Sequence, residues 1–73
     1  MEMTPIKSSN VKSVGFDPES KKMRVEFSNG TMYEYSDVAP HVHAELRSAE
    51  SVGSYYAKNI RGKYGVEKIT NEW

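Results

Sequence analysis

The sequence predicts an α+β domain: a three-stranded antiparallel β-meander followed by two α-helices packed on one of its faces. Three observations carry this. Met23, Val25 and Phe27 alternate with Lys22, Arg24 and Glu26, the period-two pattern of a half-buried strand. An Asn29-Gly30 reversal follows, and Tyr33 and Tyr35 take up the alternation beyond it. Further on, Val38, Val42, Leu46 and Ala49 recur at spacings of four, four and three, a narrow apolar stripe on a helix.

The elements can be justified in chain order. Residues 1–8 carry no strong pattern and read as a flexible N-terminal arm. Val11 to Phe16 reads as a first strand with Lys12, Val14 and Phe16 on one face. Asp17-Pro18-Glu19-Ser20 is a turn, because proline presets φ and an aspartate side chain can bond the backbone ahead of it. Lys22 to Ser28 is the second strand and Thr31 to Ser36 the third.

The register between these two strands decides what the tyrosines are for. A two-residue Asn-Gly loop would set Val25 opposite Glu34 and put a carboxylate on the apolar face, which is costly. A three-residue loop, with Gly30 left-handed, sets Val25 against Tyr33, Met23 against Tyr35 and Arg24 against Glu34. Aromatic–aliphatic pairs inside and a charge pair outside both favour the second register. Tyr33 and Tyr35 are therefore expected in the core rather than on an exposed stacking platform.

Pro40 suits the first turn of the first helix, where its missing N–H is harmless. Ser51-Val52-Gly53 breaks that helix, and Ser54 is the expected N-cap of a second one running from Tyr55 to about Gly62. Tyr56 and Ile60 would stack on its inner face, with Tyr64 continuing the line. Residues 9–66 then form the single domain, and 67–73 a frayed tail. The expected core is Val14, Phe16, Met23, Val25, Phe27, Tyr33, Tyr35, Val38, Val42, Leu46, Ala49, Tyr56, Ile60 and Tyr64.

A chain of 73 residues has room for one domain. Without cysteine, disulfides, thiolate metal sites and a cysteine nucleophile are excluded. No apolar run is long enough for a membrane span or a signal-peptide core, so a cytoplasmic location is the expectation. In that setting Asn29-Gly30-Thr31 is a turn rather than a glycan site. His41 and His43 are two apart; on a helix they point to different sides and cannot share one metal ion. His43-Ala44-Glu45 echoes the H-x-E of zinc deaminases but lacks the later cysteine pair. There is no glycine-rich phosphate loop, no nucleophile elbow and no marked carboxylate pair. The expectation is a non-enzymatic protein with no catalytic residue, metal or cofactor.

Ten basic and ten acidic residues cancel overall, but they are not evenly spread. Residues 7–24 carry five cations against two carboxylates, residues 25–50 five carboxylates against one cation, and residues 51–64 three cations and no carboxylate. Projected on the second helix, Tyr55, Lys58, Asn59 and Gly62 share the outward arc, with Arg61 and Lys63 at its margin. Cations, an amide and an aromatic ring on one face suit a phosphate backbone and a stacked base. Ser54 and the free N–H groups at the helix start would add an anion contact. The candidate RNA- or anion-binding residues are thus Ser54, Tyr55, Lys58, Asn59, Arg61 and Lys63.

The order of motifs also resembles a known family. Ser8-Ser9, Val11 and Val14-Gly15-Phe16-Asp17 come first, then Val25-x-Phe27-x-x-Gly30-x-x-Tyr33-x-Tyr35-x-x-Val38. Pro40, Leu46, Ala49, Ser51-x-Gly53-x-Tyr55-Tyr56 and Ile60-Arg61-x-x-Tyr64 continue the series. The set is similar to the KTSC domain, found at the C-terminus of some lysyl-tRNA synthetases and as small stand-alone bacterial and phage proteins; Tyr33-Glu34-Tyr35 stands where that family has its Tyr-x-Tyr signature. The resemblance implies an association with RNA through the synthetases, not a mechanism. Two readings follow. The first is a small RNA-binding module acting through the positive second helix. The alternative is a protein-interaction module, for example a phage or prophage accessory protein docking on a host protein. A third, capture of a small anionic metabolite at the start of the second helix, needs an oligomer to build its pocket.

Overall fold

The computed structural model describes residues 2–69. Along the chain lie β1 (Met3–Pro5), β2 (Val11–Asp17), β3 (Lys22–Phe27), β4 (Met32–Tyr35), α1 (Pro40–Ser48), α2 (Val52–Asn59) and β5 (Val66–Ile69). The class is α+β, but among the described residues the sheet has five strands, not three. All pairs are antiparallel and the order is β1-β2-β3-β4-β5.

The two added strands sit where an arm and the start of a tail were expected. Thr4 lies opposite Val14 in β1, and β5 sets Met32 against Ile69 and Tyr35 against Val66. Residues 70–73 of the expected tail, and Met1, lie outside the described residues. Strands of three and four residues are too short to show a period; they acquire their conformation from the strand they pair with. Both helices occupy the connection between β4 and β5. The chain leaves the sheet after Tyr35, crosses its apolar face, and returns at Gly65, whose carbonyl accepts from the Ser36 N–H at 2.9 Å.

The β3–β4 register is the one the charges and rings favour: Met23 opposite Tyr35, Arg24 opposite Glu34, Val25 opposite Tyr33. The loop closes with Phe27 N–H donating to Thr31 O at 2.8 Å and Gly30 N–H donating back to Phe27 O at 2.9 Å. Gly30 takes φ +91°, which only a residue without Cβ adopts cheaply. On the outer face Arg24 Nε meets Glu34 Oε2 at 2.7 Å, with Lys22 at 3.6 Å from the other carboxylate oxygen.

In β2 the expected face is corrected. A bulge between Val11 and Ser13 leaves Lys12 exposed and turns Val11 inward beside Val14. A bulge inserts one residue and flips parity before it. Ser13 therefore faces outward, where its hydroxyl donates to Glu26 Oε1 at 2.9 Å.

The second helix begins three residues earlier than expected. Ser51, not Ser54, is its N-cap: the Ser51 hydroxyl accepts from Ser54 N–H at 3.4 Å. Starting there buries Val52, which an N-cap at Ser54 would have left in a loop. The helix ends at Asn59, so Arg61 and Lys63 lie in the turn beyond it, where Gly62 has φ +76°.

The core is Val11, Val14, Met23, Val25, Tyr35, Val38, Val42, Leu46, Val52 and Ile60. Phe16, Phe27, Tyr33, Tyr56 and Tyr64 pack against it half-buried, and Ala49 is also only partly covered. Val11 and Val52 are additions to the expected set. So is buried Met32, which shares the outer side of the sheet with Arg24 and Glu34.

One histidine couples the fold to pH. The His43 ring stacks on Phe16 with centroids 5.3 Å apart, and its buried Nε2 has no hydrogen-bond partner among the described residues. Burial, and then the Arg47 charge one turn on, hold its pKa below the ordinary 6.5. Above pH 6.5 neither folded nor unfolded chain binds this proton, so stability is flat. As pH falls through 6.5 the unfolded chain takes it up first, and stability drops until the folded-state value is also passed. We expect thermal melts to show this loss as pH falls below about 6.5, and His43→Phe to abolish it. The Asp17 carboxyl, lowered by backbone N–H groups of its turn, titrates below 3.8 and leaves that window clear. A His43→Phe melt profile that still falls there as in the parent would refute the assignment.

Candidate functional site

A groove of about 600 Å³ lies where α2 approaches the β3–β4 turn and the segment before β2. The sheet side contributes Val11, Phe27 and Tyr33; Ser28, Asn29 and Thr31 come from the turn, Ser9 and Asn10 from the β1–β2 connection. Gly53, Tyr56 and Ala57 come from α2, and Arg61 from the turn after it. Among the described residues Arg61 is the one charged side chain in this lining, and no carboxylate joins it.

The aromatic part is held rigidly. Phe27 meets Tyr33 at 5.8 Å and 76°, and Tyr56 at 5.3 Å and 77°, both edge-to-face. Tyr56 in turn meets Tyr35 at 6.1 Å and 72°, and their hydroxyls share a hydrogen bond. Tyr35 is fully packed, and burial followed by the Tyr56 contact pushes its phenol above the ordinary tyrosine range. The buried tyrosine thus anchors the half-buried one, and the Tyr-x-Tyr pair has two uses: Tyr35 is core, while Tyr33 on the same strand face reaches the groove.

The polar side chains around the rings keep hydrogen-bonding capacity. Asn29 Oδ1 accepts from Thr31 N–H at 3.0 Å, which leaves the amide NH₂ free to donate. The Asn10 amide makes no side-chain hydrogen bond among the described residues; its backbone is fixed instead, with Asn10 O accepting from Ser28 N–H at 2.9 Å. A smaller hollow of about 230 Å³ adjoins at the start of α2. It shares Ser9, Asn10 and Gly53 with the groove and adds Lys7 and Glu50, whose charges offset one another.

Of the six residues expected from sequence, only Arg61 lines the groove. Lys58 and Lys63 are exposed nearby in the chain. Ser54 receives the cap from Ser51 and is itself exposed. Tyr55 turns toward α1: its hydroxyl donates to Glu45 Oε1 at 2.8 Å, and burial plus that carboxylate push its pKa up to about 12. Asn59 donates back to Tyr55 O at 3.2 Å within the helix. Phe27, Tyr33, Tyr56, Asn10 and Asn29 were not expected here. Their signal was divided between the Asn29-Gly30 turn and the Tyr pairs, which the sequence places far apart.

Among the described residues no three histidine or carboxylate side chains cluster as metal ligands. No helix there is long and apolar enough to cross a membrane.

Comparisons with known proteins bear on the family and the overall fold. The family model of the KTSC domain matches residues 7–64. An uncharacterized protein of Stutzerimonas stutzeri is 39% identical over 56 residues, covering 77% of this chain and 79% of that protein. A lysine–tRNA ligase of Nostoc punctiforme is 32% identical over 62 residues; the match takes in 85% of this chain but 11% of the ligase. The crystal structure of a KTSC domain protein from Yersinia pestis superposes with a TM-score of 0.89 at 31% identity, covering 94% of this chain and 97% of that one.

Proposed function

This chain belongs to the KTSC domain family, and from that premise we propose that it is a small non-enzymatic RNA-binding module. The observation that carries the reading is electrostatic. From residue 51 to residue 64 the chain bears Lys58, Arg61 and Lys63 and no carboxylate, and Arg61 places this charge at the groove. Arg61 makes no ion pair with another described side chain, so its guanidinium is available to a phosphate. Similarity to a segment of lysine–tRNA ligases supports the same class of partner. The acidic stretch that would favour a protein partner is largely engaged within the fold: Glu34 with Arg24 and Lys22, Glu26 with Ser13, Glu45 with Tyr55.

The test is fluorescence anisotropy with a labelled, mixed-sequence single-stranded RNA 12-mer. Binding through two or three phosphates gives a log–log salt slope of about −1.4 to −2.1 at ~0.7 per phosphate. Lys58→Ala with Arg61→Ala is expected to weaken binding about ten-fold or more at unchanged melting temperature, because both side chains are exposed. A double variant that binds like the parent overturns the assignment.

A further inference from the structure

We propose that the groove between α2 and the β3–β4 turn is a pocket for one unpaired nucleotide, taking its base against the Phe27–Tyr33–Tyr56 rings and its phosphate on Arg61. The inference rests on the RNA-binding reading and adds what the site recognises.

Size is the first argument. About 600 Å³ lies within the range of pockets that enclose a drug-sized molecule, on the scale of a nucleoside monophosphate and too small for a helical duplex. Chemistry is the second. A nucleotide is a flat apolar ring with polar edges, joined to an anion. The lining matches it part by part: three half-buried rings, the amides of Asn10 and Asn29, and one guanidinium with no carboxylate among the described residues to oppose the phosphate. An asparagine amide presents a donor and an acceptor side by side, the arrangement that reads a base edge.

Preorganisation is the third. The rings are fixed by edge-to-face contacts and by the Tyr35–Tyr56 hydrogen bond, so little ordering cost is left for the ligand to meet. The helix bank is also low. α2 presents the small residues Gly53 and Ala57, and the Asn10 amide lies close over Gly53, its Nδ2 3.4 Å from where a Cβ would stand. The exposed Ala57 leaves the room for a ring between helix and turn.

The pocket recognises an unpaired base because a base stacked in a duplex has both faces covered. Single-stranded RNA is accordingly the preferred partner, and the Lys58–Lys63 cations hold the neighbouring backbone.

Three probes separate this inference from the reading beneath it: the single-stranded 12-mer, the same strand annealed to its complement, and adenosine monophosphate alone. Amide NMR and anisotropy are read on the parent, on Ala57→Leu, which fills the groove from an exposed helix position, and on Asn10→Ala, which removes one amide. We expect duplex binding at least ten-fold weaker than single-strand binding. The mononucleotide should shift amides of residues 10, 29, 53, 57 and 61, and both variants should weaken the 12-mer about ten-fold. If the 12-mer and its duplex bind equally and both variants match the parent, the pocket is overturned while RNA binding stands. If the mononucleotide shifts the groove but the 12-mer does not bind, the pocket stands and the RNA reading falls. If no probe shifts any groove amide, both fall.

Discussion

Leu46→Ala is expected to lower the folding stability by about 3 kcal/mol, and the melting temperature by roughly 15 °C. Leu46 is fully buried, and it is the largest side chain that α1 lays into the core. Alanine is the better helix former, so propensity works against the loss and the whole effect measures packing. A domain of this length has on the order of 5 kcal/mol to lose, which makes the variant marginal at 37 °C. Leu46→Met, of similar volume, should cost less than about 1.5 kcal/mol. Urea denaturation of the three proteins decides the matter: a loss under about 1 kcal/mol for the alanine variant would mean that α1 is not docked as described.

The sequence made the centre of this fold legible because several independent preferences coincide there. At the β3–β4 hairpin a shift of one residue would bury Glu34 and separate it from Arg24, so charge, ring and glycine signals all select one register. Nothing comparable marks β1 or β5. Met3-Thr4-Pro5 and Val66–Ile69 have little alternation of their own and are strands because β2 and β4 offer them unpaired edges. The bulge at Lys12 was hidden for a related reason: Val11 and Val14 are three apart, and only pairing to β3 shows that both face inward. The N-cap is expected at Ser54 because Ser51-Val52-Gly53 reads as a break between helices; burial of Val52 decides for Ser51.

The candidate site was less legible than the fold. Its lining comes from four separate stretches of chain, and no helical projection can bring Asn10 beside Gly53 or Phe27 beside Tyr56. The projection also misled in one respect. Drawn from Tyr55 onward, it put Tyr55 outward with Lys58, whereas the packed helix turns Tyr55 to Glu45 on α1 and gives the groove to Tyr56. Arg61, which does line the groove, was picked out by charge density, and that, unlike the direction of one side chain, does not depend on the exact start of a helix.

Ile60→Ala is expected to cost about as much as Leu46→Ala, roughly 3 kcal/mol, with Ile60→Val near 1 kcal/mol, but to differ from it in function. Ile60 is fully buried and sits at the C-cap of α2, one residue before Arg61. The Tyr56 carbonyl accepts from both Ile60 and Arg61 N–H, at 3.0 and 2.9 Å, and Lys63 N–H donates to Ile60 O at 3.0 Å. Tyr56, Ile60, Arg61 and Lys63 are therefore one hydrogen-bonded unit, pinned to the core by the Ile60 side chain. Truncating that side chain leaves a cavity beneath the unit and loosens the position of the guanidinium over the groove. Leu46 lies on the other helix and touches none of these bonds. At a temperature where both alanine variants stay folded, Ile60→Ala should bind the single-stranded 12-mer several-fold more weakly than Leu46→Ala, which should match the parent. Equal affinities for the two variants would mean that the turn carrying Arg61 holds its place without the core beneath it, and that binding does not depend on where this arginine stands.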